Sequence, residues 1–164
     1  MILVTVGTDK PFDRMMKVVD RWAAESGRRD VFAQIGEGGW EPRHIPFVNF
    51  FDPAEFKQRF AEAKLIIGHA GMGTILSALL HGKPILVMPK LARLGEHRNE
   101  HQTATAKRMM ALGNVNVAFD EEEMRAKLAA VDNLQARGPI GPYASGPLVD
   151  GIRNFIFNGK GTPP

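Results

Sequence analysis

The chain has 164 residues, 44% of them hydrophobic and 24% charged, with a formal net charge of +3. That is the size and composition of one globular domain with a full core, and its slight positive excess suits an acidic ligand or an anionic surface, without the Lys/Arg run of a nucleic-acid arm. Cysteine is absent, which excludes disulfides, thiol catalysis and cysteine-ligated metal.

Ile2 to Val6 is β-branched and apolar and stops at Gly7-Thr8, the pattern of a buried parallel strand. It has no basic leader or cleavage site, so it is expected to be a strand and not a signal peptide. Pro11 is expected to open a helix running to about Ser26, with Phe12, Met15, Met16, Val19 and Trp22 at helical spacing as core. Val31 to Ile35 is the second strand. The loop from Gly36 to Pro46 holds His44, expected to face solvent, and Trp40, expected to pack over the sheet edge. Phe47 to Phe51 is the third strand, and Asp52-Pro53 caps and starts a helix to Ala63 with Phe56 and Phe60 facing inward.

Leu65 to Gln102 is the organising stretch. Leu65-Ile66-Ile67 breaks into Gly68-His69-Ala70-Gly71-Met72-Gly73-Thr74, followed by a helical run from Ile75 to Leu80 that stops at His81-Gly82-Lys83-Pro84. Ile85 to Met88 is another buried strand, ending at Pro89. A polar loop then leads through Glu96-His97-Arg98-Asn99-Glu100-His101-Gln102 into a helix closed by Gly113. A glycine turn between a strand and a helix gathers free backbone N–H groups and the positive end of a helix dipole, a ready phosphate site. Val115 to Phe119 is the last strand, and Asp120 caps a helix from Glu121 to Val131. Residues from Asp132 to Pro147 read as irregular. A helix from about Leu148 to Phe157 is expected to pack back on the sheet through Ile152, Phe155 and Ile156. Residues 159–164 read as a disordered tail. No stretch approaches the ~20 apolar residues of a membrane span, and the chain is expected to be soluble.

Strands alternating with helices, most strands uniformly apolar, define an α/β class: one Rossmann-like, doubly wound parallel sheet covered on both faces, over residues 1–158. In such sheets ligands sit outside the carboxyl ends of the strands, and Gln102 is placed to reach that crevice.

Gly68-His69-Ala70-Gly71-Met72-Gly73-Thr74-Ile75-Leu76, then Gly82-Lys83-Pro84, then His101-Gln102 followed by Ala104 and Ala106, resembles the C-terminal, nucleotide-sugar-binding domain of family 28 glycosyltransferases. Val4-Thr5-Val6-Gly7-Thr8 and Phe12-Asp13-Arg14 resemble the small catalytic subunits of split transferases, in which that domain is a separate chain. The form Gly95-Glu96-His97 with His101-Gln102 is closest to subunits of bacterial exopolysaccharide assembly, relatives of the subunit that adds GlcNAc to dolichol-linked oligosaccharide. The resemblance covers nearly the whole chain. It implies a single GT-B C-terminal-type domain that binds a UDP-sugar donor and needs no metal or other cofactor. Gly7, Thr8, Gly71, Met72, Gly73 and Thr74 would approach the diphosphate. Gln102 would bond sugar hydroxyls with Glu100 and His101 beside it, and His69 is a further catalytic candidate, alternatively a turn histidine bonded to backbone. The uracil would lie near the loops after the second and third strands. Ser77 stands where the family often has an acidic residue for the ribose, and serine accepts fewer and weaker bonds. The resemblance further implies inversion at the sugar carbon, a membrane-associated partner subunit supplying the acceptor site, a lipid-linked saccharide as acceptor, no nucleic acid, and a cytoplasmic chain recruited to the inner face of the membrane.

Rival readings are weaker. His97-Arg98-Asn99-Glu100-His101 matches the H-x-x-E-H of inverted zinc proteases, but a distal third ligand has no evident place. No G-x-G-x-x-G follows the first strand, and no P-loop or G-x-S-x-G elbow occurs. A nucleotide-sugar-binding regulatory subunit that never turns over fits the same residues. Lys90 and Arg93 are open to a diphosphate or headgroup contact, with solvated surface the favoured reading; His81 reads as a helix C-terminal residue.

Overall fold

A computed structural model describes residues 1–113, 115–136 and 146–158. The strands β1 (Ile2–Thr5), β2 (Val31–Gln34), β3 (Phe47–Val48), β4 (Leu65–His69), β5 (Ile85–Met88) and β6 (Asn116–Val117) form one sheet in the order β3-β2-β1-β4-β5-β6. Every pairing is parallel, with Ile2 opposite both Val31 and Leu65, and Leu86 opposite Asn116. The helices are α1 (Asp13–Glu25), α2 (Pro53–Glu62), α3 (Met72–Leu80), α4 (His101–Ala111), α5 (Glu121–Ala129) and α6 (Gly146–Asn158), with 3-10 turns at Ala92–Leu94 and Val131–Asn133.

Both sheet faces are covered, as uniformly apolar strands require. Alternate residues of one strand serve opposite cores. Ile2, Val4, Ile67, Leu86 and Met88 pack under α1 and α5 with Met15, Met16, Val19 and Met124. Leu3, Ile66, Ile85 and Val87 pack under α2, α3 and α4 with Phe60, Ile75, Leu79 and Ala106. Trp40 is packed against the first of these cores, as its loop position suggested. That loop is pinned by Asp20 of α1, only 3% exposed, which accepts from the backbone N–H groups of Arg43, His44 and Ile45 and pairs with His44 Nδ1 at 2.9 Å. Burial pushes the Asp20 carboxyl up, but the donors of His44 and Arg43 outweigh it and hold the group below its usual range.

Several boundaries differ from expectation. Helix α1 starts after Pro11, at Asp13, because Phe12 is fully buried and turns the chain inward first. Strand β3 is two residues long, and the pairing ends one bond beyond it, with Gly36 N donating to Asn49 O at 3.0 Å. β4 continues through Gly68 and His69 instead of breaking there. A Cβ on Gly68 would stand 3.1 Å from the Thr5 carbonyl oxygen, so glycine lets β1 and β4 close up. α3 starts at Met72, which puts Gly73 and Thr74 in its first turn. α5 ends at Ala129 and gives way to a 3-10 turn. Helix α6 exists, but it does not pack on the sheet: Ile152 is 51% exposed and Phe155 63%. The expected tail at 159–164 lies outside the described residues, as does most of the irregular stretch before α6.

Candidate functional site

Strands β1 and β4 are central neighbours whose chain connections leave on opposite faces, β1 to α1 and β4 to α3. Their following loops therefore diverge and leave a crevice at the carboxyl end of the sheet. A cleft of about 460 Å³ opens there, lined by Thr5, Gly7, Thr8, Gln34, Phe50, Phe51, Pro53, Phe56, His69, Gly73, Thr74 and Ser77.

On the floor of the crevice is His69, the last residue of β4. Its imidazole is wedged between two loops: a Cβ on Gly7 would lie 2.6 Å from Cε1, and one on Gly71 only 2.2 Å from Nε2. Gly7 also has φ +78°, a backbone form that L side chains avoid. These glycines exist at these positions because an aromatic ring occupies the space where their side chains would be. Burial, and next the charge of Lys90, push the His69 pKa down to about 4, so the ring is neutral near pH 7. Its Nδ1 is buried and makes no well-formed hydrogen bond, and the Thr5 backbone beside the ring offsets only part of the downward shift.

The first loop is held from below. Thr5 Oγ1 donates to Gln34 Oε1 at 2.7 Å, and Gln34 Nε2 donates to the Gly7 carbonyl at 3.2 Å. This places a polar side chain of β2 beneath the turn that the sequence marked only as Gly7-Thr8. On the far side, α3 begins at Gly71, which carries no side-chain cap. The first bond inside the helix runs from Ile75 N to Gly71 O at 3.1 Å, so the N–H groups of Met72, Gly73 and Thr74 have no acceptor within it. The contrast with α2 and α5 is instructive: Asp52 and Asp120 cap those helices by accepting from Glu55 N and Glu123 N, each at 2.8 Å. The start of α3 beside the cleft is left bare, as are those of α1 and α4, while α2 and α5 are closed by carboxylates. No Asp or Glu lines the cleft, and its third wall is aromatic, with Phe51 and Phe56 rings 6.3 Å apart and Phe50 43% exposed.

Of the residues expected from sequence, Gly7, Thr8, His69, Gly73, Thr74 and Ser77 meet in this cleft; Gly71 and Met72 stand at the entry to α3 beside it. Glu100, His101 and Gln102 do not line it. Gln102 is 6% exposed and its Oε1 accepts from Lys90 N at 3.1 Å, so part of its hydrogen-bonding capacity serves the backbone after β5. Glu100 is exposed and accepts from Arg93 N at 3.2 Å, and His101 N donates to Asn99 Oδ1. The zinc reading of His97 and His101 loses its geometric premise, because α4 starts only at His101 and His97 Nδ1 lies 3.2 Å from Asn99 O. No cluster of metal-ligating side chains occurs among the described residues. Lys90 is not surface: it is 1% exposed. His81 is the C-cap of α3, with Nδ1 2.8 Å from Ser77 O. Phe50, Phe51, Phe56 and Gln34 were missed as site residues because apolar strand-end residues and a strand glutamine read as packing until the topology brings them to one edge.

A second depression, of about 630 Å³, runs between α1 and α5 on the other face. Size does not make it the better candidate. Its cation Arg14 is already neutralised by Glu96 and Glu121 at 2.8 and 3.2 Å, and Asp13 and Glu25 add further carboxylates to its lining.

Residues 1–137 match the sequence profile of the glycosyltransferase family 28 C-terminal domain. The chain belongs to that family. It is 32% identical over 92 residues to the UDP-N-acetylglucosamine transferase subunit ALG13 of Eremothecium gossypii, covering 55% of this chain and 43% of that protein. It is 26% identical over 152 residues to the UDP-N-acetylglucosamine–N-acetylmuramyl-(pentapeptide) pyrophosphoryl-undecaprenol N-acetylglucosamine transferase of Rhodospirillum centenum, covering 82% of this chain and 36% of that one. The chain thus spans less than half the length of these two relatives. An NMR solution structure of ALG13 superposes with a TM-score of 0.57 at 20% identity, covering 93% of this chain and 94% of that structure, and so shows a shared fold.

Proposed function

We propose that this family 28 domain is the donor-binding subunit of an inverting glycosyltransferase, holding a UDP-sugar in the crevice between β1 and β4. The observation that carries the reading is the uncapped start of α3 facing a carboxylate-free cleft, with open space beside Gly73 and with Gly7 and Gly71 making room for the His69 ring. Dianionic diphosphate would meet the free N–H groups of Met72, Gly73 and Thr74 and the positive end of the helix dipole. The same groups would stabilise the charge that develops on the departing UDP, with no metal required. Phe50 and Phe51, in the chain after β2 and β3, offer an apolar wall for the uracil. Ser77, one turn into α3, is the candidate for the ribose. Glu100, His101 and Gln102 are assigned to the sugar side, where Gln102 Nε2 is the group left for hydroxyls.

The cleft holds no carboxylate, and burial leaves its wedged histidine a weak base with a pKa of about 4, so the base that activates the acceptor hydroxyl is assigned to a second subunit. By likeness to relatives named as a transferase subunit and as a transferase acting on a pyrophosphoryl-undecaprenol acceptor, that partner is membrane-associated and the acceptor a lipid-linked saccharide, as in exopolysaccharide assembly. No described helix is long and apolar enough to cross a membrane. This chain would work in the cytoplasm and reach the inner face of the membrane through its partner.

Calorimetric titration with UDP and a panel of UDP-sugars, in EDTA, tests the donor reading. Binding of UDP with one preferred sugar supports it, and absence of any uridine-nucleotide binding overturns it. A non-catalytic nucleotide-sugar-binding subunit fits the carboxylate-free cleft equally well. Transfer on mixing with the partner separates the two.

A further inference from the structure

Lys90, directly after β5 and Pro89, is one of the largest fully buried side chains. Its ammonium donates to the carbonyl of Lys10 in the loop after β1 and stands 5.8 Å from the centroid of the Phe12 ring. No carboxylate lies within ion-pair distance of it among the described residues. A desolvated ammonium without a bonded counter-ion is costly, and the surrounding structure is built to keep it there. The Lys90 N–H is held by Gln102 Oε1 at 3.1 Å. The segment carrying it is clamped by Arg14, which bonds Glu96 Oε1 at 2.8 Å, Glu96 Oε2 at 3.0 Å and the Pro89 carbonyl at 3.1 Å. Glu96 Oε2 in turn accepts from Leu91 N at 2.8 Å.

The charged or titratable groups around Lys90 are Asp9 and Lys10 in the loop after β1, Glu96 in the segment after β5, His69 at the end of β4, and Arg14 on α1, which bonds the Pro89 carbonyl. The two acids draw positive charge to it, but neither pairs with it, and Glu96 is already committed to Arg14. One anion is missing from this arrangement, and His69, whose ring feels the Lys90 charge, lines the crevice where the proposed function puts a diphosphate.

We propose that Lys90 is a positioning residue for the donor diphosphate: its buried ammonium holds the loop after β1 by the Lys10 carbonyl and supplies, from behind that loop, the positive charge that the bound diphosphate completes. This rests on the donor reading. Burial brings its pKa from the usual 10.5 down to about 8, so the charge can be switched off under mild alkali. Anion binding then stabilises the charged form and takes up a proton.

The test is UDP titration of the full chain between about pH 7 and 9, a range in which the terminal phosphate, with its second ionisation at ~6, no longer titrates and the uracil imide stays mostly protonated. For wild type the affinity is expected to fall about fivefold across this range, with proton uptake near pH 8.5 measured in buffers of different ionisation enthalpy. Lys90→Met is expected to lose about tenfold in affinity at pH 7, to show a flat pH profile, and to melt at a higher temperature than wild type. Lys107→Met removes an exposed charge from α4 and should leave affinity and pH profile unchanged. A Lys90→Met chain that binds UDP like wild type, or keeps the wild-type pH slope, overturns the inference. So does absence of proton uptake by wild type, a readout that holds even if the variant fails to fold. Wild type that binds no UDP at any pH overturns the donor reading itself.

Discussion

At the scale of the residue, the site is a matter of what is left out. Gly71 has φ −85°, which any residue can adopt. Its lack of a side chain matters because the His69 ring fills the place of a Cβ. Gly71→Ala is therefore expected to push the ring aside, destabilise the fold by about 1–3 kcal/mol and weaken UDP binding. Most of the stability loss should be recovered in His69→Ala/Gly71→Ala, because the two changes share one clash. Chemical denaturation of the single and double variants checks this, and additive losses would contradict it. His69 also sets a pH dependence. Its folded pKa near 4 lies below the ordinary 6.5, so the unfolded chain binds more protons between those values. Stability is fully present above about pH 6.5 and is lost as pH falls toward 4. The acid limb of the melting curve should flatten in His69→Gln.

At the scale of the element, the start of α3 carries the chemistry and its neighbours show by contrast how. Asp52 and Asp120 are N-caps that each contribute about 1 kcal/mol, whereas α3 has none. Gly73→Asp places a carboxylate in that first turn, and the space there is open. By itself this should stabilise the helix by about 0.3–1 kcal/mol through the dipole. The same charge repels a diphosphate, so UDP affinity should fall by at least about tenfold. A melting temperature that holds or rises while binding is lost would identify the helix start as the anion site. Unchanged binding would remove it. Much of this was legible in sequence: three glycines and a threonine between an apolar run and a helix have few other uses. What sequence could not place was Lys90, because its burial depends on Phe12, Lys10 and Arg14, some eighty positions earlier in the chain. Gln102 was read toward the crevice, and the bond of its Oε1 to Lys90 N was not foreseen, since a polar residue at a helix start is equally suited to either partner.

At the scale of the whole molecule, the parallel, doubly wound sheet followed from the alternation of apolar runs and helical patterns, whereas the strand order β3-β2-β1-β4-β5-β6, which sets the crevice between β1 and β4, came from the structure. The aromatic wall did not, because Phe50, Phe51 and Phe56 become neighbours of Ser77 only when β3, α2 and α3 are assembled. The expectation for α6 was wrong for a related reason: apolar residues at helical spacing show that a helix has a face, not where that face is buried. With the described side chains of α6 exposed, a chain ending at Ala136 is expected to keep its unfolding free energy within about 1 kcal/mol and to bind UDP as the full chain does. A collapse of either property would place α6 in the folded body.

The most direct measurement of the central claim is the change in backbone amide NMR signals on adding UDP. The account predicts the largest shifts at Gly7, Thr8, Met72, Gly73 and Thr74, with Phe50 and Phe51 following, and near silence at Lys17, Arg21 and Arg125 in the depression between α1 and α5. Shifts concentrated in that depression, with the start of α3 unmoved, would contradict it.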